Sequence, residues 1–95
     1  MFGKKGELSK AQAAAVKLFQ SQLEVLLNNA RKTNCIYNDY DGGDIVRLLN
    51  ALKYTVEEYS LGESMFQEAL MRIYNTLMEN ENFSTAAQLA KDHKL

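Results

Sequence analysis

The chain contains no proline and no tryptophan, and it has a single cysteine and a single histidine. Without proline, the residue that most often fixes a bend or stiffens a linker is missing, and no ring closure interrupts a helix. One thiol, Cys35, makes an intrachain disulfide impossible and favours a reducing compartment. One Cys and one His cannot supply a zinc site of those ligands within one chain. Apolar runs are short, well below the roughly 18 consecutive residues of a membrane span, so no membrane partner is expected. Charge of one sign is scarce too: the net charge is −1, and no global field draws DNA or an anionic bilayer. Alternating runs of β-branched and aromatic residues are absent, which excludes a convincing strand. The first ten residues, MFGKKGELSK, carry cations but no apolar segment of secretory type, so a cytoplasmic location is expected.

What is present suits a small globular domain. The hydrophobic share is 46% and the charged share 24% of 95 residues, enough for one core and too apolar for disorder. Residues 1–8 hold two glycines and three charges and read as a flexible lead-in, leaving 9–95 as a single domain.

The longest helical pattern runs from Lys10 to Arg31. Ser9 and Gln12 have capping-box spacing at its start. At 100° per residue, Ala15, Val16, Phe19, Leu23, Leu26, Leu27 and Ala30 share one face. Lys17, Gln20, Glu24 and Arg31 lie opposite. Beside the core stripe stands a second row, Ala11, Leu18 and Val25, seven residues apart, which Gln22 alone separates from the first. One core face does not need that row. It faces either another helix of the same chain or a second protein.

Three further helices are predicted. One spans about 44–59, with Ile45, Leu48, Leu49, Leu52, Val56 and Tyr59 inward. The next spans about 63–79, with Ser60 and Glu63 at capping-box spacing and Phe66, Ala69, Leu70, Ile73, Tyr74 and Leu77 inward. Met71 and Met78 flank that face, again seven apart. A short fourth at about 84–91 has Thr85 and Gln88 at the same spacing. At that length it must dock on the others to persist. The expected fold is all-α, a small antiparallel bundle of three main helices plus a short C-terminal helix.

The functional content is thin. The segment from Thr33 to Asp44 is dense in Asn, Asp and Gly and holds Tyr37, Tyr40 and Asp41, a candidate ligand loop. A calcium-loop pattern needs acids at positions 1, 3 and 5, Gly at 6 and Glu at 12, and no register of this loop meets it. Its two glycines before a helix could cradle phosphate, but the flanking acids repel one. For catalysis, Cys35 and His93 are the one nucleophile–base pair, and no third group orients them. No enzyme activity, metal or cofactor is therefore expected.

Charge is distributed unevenly. Six cations against Glu7 and Glu24 precede Thr33, and six acids against Arg47 and Lys53 follow as far as Glu63. That polarity suits helices pairing with opposite neighbours. The basic N-terminal part, Lys4, Lys5 and Lys10, leaves a nucleic-acid accessory role as an alternative, although the balance of the chain argues against nucleic acid. A small-ligand sensor with its site in a subunit crevice is the other alternative. The leading expectation is a cytoplasmic protein that acts by protein–protein interaction, as a regulator, inhibitor, immunity protein or chaperone does. It is expected to form a homodimer or larger homo-oligomer and to bind a second protein. The candidate interface is Ala11, Leu18 and Val25 together with Met71, Tyr74 and Met78.

Overall fold

The computed structural model describes residues 9–32 and 44–95, with the side chains of 45–95 in the second stretch. The expected lead-in at 1–8 and most of the Thr33–Asp44 segment, with Tyr37, Tyr40 and Asp41, lie outside the described residues. Four helices follow in order: α1 (Lys10–Ala30), α2 (Asp44–Glu58), α3 (Glu63–Glu79) and α4 (Phe83–His93). There is no strand among the described residues. The chain is the all-α bundle that the sequence predicts.

Helix α1 begins as its sequence dictates. The Gln12 amide donates to Ser9 Oγ at 3.0 Å, and the Ser9 amide donates to Gln12 Oε1 at 3.3 Å. The same Gln12 side chain donates through Nε2 to the Tyr59 carbonyl at 3.0 Å. One residue thus caps α1 and ties its start to the end of α2, which fixes α1 and α2 as antiparallel. At the other end, Asn82 Nδ2 donates to the carbonyls of Ala30 and Lys32, both at 3.0 Å. Asn82 follows α3, so α1 and α3 end together and the helices alternate up, down, up, down.

The core lies between α1, α2 and α3, with α4 packed on α3. Phe19, Leu23, Leu26, Leu27 and Ala30 of α1 meet Ile45, Leu49, Leu52 and Val56 of α2. Phe66, Ala69, Leu70, Ile73 and Leu77 come from α3, and Ala86 and Leu89 from α4. Burial on this scale, at about 25 cal/mol per Å2 of apolar surface, is what orders helices of 11 to 21 residues that would be marginal alone. Val16 and Leu48 are only partly buried.

Several local expectations are corrected. Tyr59 is exposed rather than inward, because α2 ends at Glu58 and residue 59 already belongs to the closing turn. Ser60 does not cap α3. It has φ 52° and closes α2, while Gly62, at φ 102°, is the residue before α3. Thr85 does not start α4 either. That helix begins two residues earlier, at Phe83, extends to His93 and buries Thr85 in its first turn. Asn82 stands at the cap position, but its side chain is occupied with the carbonyls of α1.

Helices α2, α3 and α4 all stop in the same way. Ser60, Glu81 and Lys94 take left-handed dihedrals. The next amide then reaches back five residues: Leu61 to Val56, Asn82 to Leu77, and Leu95 to Ala90, at 3.0, 2.8 and 3.0 Å. This closure satisfies carbonyls that a helix end leaves open, and glycine fills the left-handed position at least strain. None of the three is glycine. We expect Glu81→Gly to stabilise the fold by roughly 0.5–1 kcal/mol, relief of strain outweighing the added freedom of the unfolded chain. The urea midpoint checks it, and a lower midpoint in the variant refutes it.

Candidate interaction face and a flanking cleft

The apolar rows that flank the core stripes in the sequence, and that could have faced either another helix of the chain or a partner, are half exposed on α1 and α3. On α1, Leu18 is 47% exposed and Val25 49%, with Ala11 and Ala14 exposed beside them. On α3, Met71 is 45% exposed and Met78 39%. Tyr74 is only partly buried and packs against the core, so its ring is shared between the interior and the α3 flank. The structure thus leaves Leu18 and Val25 in the middle of the longest helix uncovered by α2, α3 or α4. Scattered apolar residues on a surface are ordinary; here Ala11, Leu18 and Val25 are exposed in line on one helix.

The boundary of the α1 row is polar and structured. Gln22 breaks the join in the sequence, and in the fold it is half-buried against α2. The Thr55 hydroxyl, 2% exposed, sits 2.9 Å from Gln22 Oε1 and 3.0 Å from the Ala51 carbonyl. A buried hydroxyl with no partner costs about 1–3 kcal/mol, so this pairing holds α1 and α2 in one register. It also holds the exposed row at a fixed angle to the bundle. On the same helix, Asn29 donates to the Val25 carbonyl at 3.2 Å and is buried. Sequence reading passed over Thr55. Its position beside Leu48, at the edge of the apolar stripe on the helical wheel of α2, was the available signal.

A second feature lies at the far end of the bundle, where α2 gives way to α3 and α4 returns. A half-open cleft of about 450 Å3 is lined by Lys53, Glu57, Glu63, Phe66, Gln67 and His93, among others. The His93 ring stands edge-on to Phe66, with centroids 6.1 Å apart and planes at 70°. Burial lowers the imidazole pKa below its usual value. Lys53 lowers it too, and Asp92 works against both. The neutral ring is therefore favoured in the fold. The linked stability is complete above the ordinary imidazole value and is lost as pH falls through the lowered one. The walls carry both signs of charge, so the cleft selects no ligand class by electrostatics.

His93 is thus packed against an aromatic ring, and Cys35 lies outside the described residues. No group of three His, Cys, Asp or Glu side chains among the described residues converges as a metal site would require. None of the described helices is long and apolar enough to cross a membrane. Comparison with protein-family models, with curated proteins and with solved structures finds no match for this chain.

Proposed function

We propose that this protein works by association with another protein chain through the outer face of α1, and carries out no chemistry of its own. Its role is that of a small cytoplasmic regulator, inhibitor or chaperone-like partner. The observation that carries the reading is the half-exposure of Leu18 and Val25 at the centre of a helix whose neighbouring stripe, Phe19, Leu23, Leu26 and Leu27, is buried. Transfer of such side chains out of water is favourable by roughly 1 kcal/mol each at half burial. Ala11 and Ala14 beside them are small enough to let a second helix approach closely. The Met71 and Met78 flank of α3 offers a second, adaptable surface, since an unbranched thioether fits varied partners. The cytoplasm suits a chain with one thiol and no possible internal disulfide.

The test is Leu18→Glu with Val25→Glu. Both positions are exposed, so the charges enter water, and helicity and the melting midpoint should stay near those of the wild type. Association, read by sedimentation velocity or by titration with a candidate partner, should weaken at least tenfold, because two carboxylates would have to be desolvated in the contact. Association unchanged in the double variant removes α1 from the interface. A large loss of stability instead would mean that the row is covered by its own molecule.

A further inference from the structure

The face on α1 can be read more closely. From Ala11 to Asn28 its outward positions repeat every seven residues: Ala11, Leu18 and Val25 in one row, Ala14, Ser21 and Asn28 in the next. All six are exposed and none is charged. The spacing is that of a heptad seam, with Leu18 and Val25 as its large apolar residues and small or polar ones around them, so a contact here is weaker than a fully apolar one. The charged residues Lys10, Lys17, Glu24 and Arg31 line one margin of this seam, also at steps of seven. The other margin turns into the bundle through Gln22, which is bonded to α2.

We propose that the occupant of this face is a second copy of the chain, its α1 antiparallel to the first about a two-fold axis passing between Gln20 and Ser21. This rests on the association reading above and adds the partner and its register. The geometry follows from the spacing. About this axis Leu18 fits between Ser21 and Val25 of the partner subunit, and Val25 fits between Ala14 and Leu18 of the partner subunit. Lys17 comes level with Glu24 of the partner subunit, and the two-fold repeats the pair. Antiparallel pairing brings the charged margins to the same side, where they meet. Parallel pairing puts them on opposite sides, where they do not. The symmetry closes the contact as a dimer. At the ends, Lys10 comes level with Arg31 of the partner subunit, a like-charge pair that weakens the dimer. One helix face is also smaller than the roughly 800 Å2 per partner of a standard interface, so dissociation in the micromolar range is expected.

Charge exchange tests this directly. Lys17→Glu alone makes the margin pairs acidic on both sides, and Glu24→Lys alone makes them basic. Each single variant should dimerise about tenfold or more weakly than the wild type at low salt. An equimolar mixture of the two variants restores opposite charges at both pairs. It should form a heterodimer near wild-type affinity, seen by sedimentation with one variant fluorescently labelled. Arg31→Glu should tighten the homodimer. Wild type that stays monomeric up to about 500 µM, well above the expected range, overturns self-pairing while leaving association with a different protein intact. Wild type that dimerises, loses the dimer in Leu18→Glu with Val25→Glu, yet ignores the charge variants keeps the face and overturns this register. A dimer indifferent to every one of these substitutions overturns both.

Discussion

Leu26→Ala should lower the stability of the fold by about 2–5 kcal/mol, whereas Leu18→Ala, eight residues earlier on the same helix, should change it by less than about 1 kcal/mol. The two leucines have the same chemistry and the same helix propensity. They differ in where the wheel of α1 places them. Leu26 has no exposed surface and is surrounded by side chains of the core cluster, so its removal leaves a cavity that rigid neighbours fill only in part. Leu18 is nearly half exposed, so truncation there removes much surface already in water and leaves no enclosed cavity. Urea denaturation of the two variants at a concentration where the chain is monomeric measures the difference. Equal costs would mean that α1 is rotated from the orientation described here.

Leu89→Asp should be at least as damaging, with an effect centred on one element. Helix α4 is 11 residues long and is held by Thr85, Ala86 and Leu89, of which Leu89 is the one large apolar side chain with no exposed surface. A carboxylate in that position is either protonated against its preference or drags the helix into water, a cost of roughly 3 kcal/mol or more. An isolated helix of that length does not persist. The amides of 83–93 should therefore lose their protection from hydrogen exchange before those of α1 and α2, and helical ellipticity should fall by about a sixth, the share of α4 among the four helices. Uniform loss of protection across all four helices would make α4 an inseparable part of one cooperative unit. Wild-type protection in 83–93 would mean that Leu89 is not what docks it.

Much of this was legible in the residues. The Ser9–Gln12 box, the inward stripe of α1 and the limits of α1, α2 and α3 follow from spacing and propensity, because those effects act over one or two turns. The surplus of apolar surface on α1 was legible too, but whether another helix of the chain covers Leu18 and Val25 was not; only the packing leaves them half exposed. Long-range and conformational features were not legible either. Ser60 looked like a cap because serine hydroxyls often accept from a helix amide, yet here the residue takes a left-handed turn to end the preceding helix. Nothing in the composition of Ser60, Glu81 or Lys94 announces that turn, since glycine is its usual marker. Asn82 bonds across 52 positions to Ala30, and Thr55 across 33 to Gln22. Each looks locally like an ordinary polar residue, and only the packing of distant helices gives it a partner. The His93–Phe66 contact was hidden for the same reason.

The outer row of α1 is the proposed contact surface. Methyl-resolved NMR of the chain during dilution from about 1 mM to about 10 µM, a range that spans the expected dissociation constant, addresses that row directly. The resonances of Leu18 and Val25 should move with concentration, while those of Leu26 and Leu52, which the core encloses, stay fixed. If the shifting methyls instead belong to Met71 and Met78 alone, or if those of Leu18 and Val25 hold still while the chain is seen to associate, the row is not where this protein meets its partner.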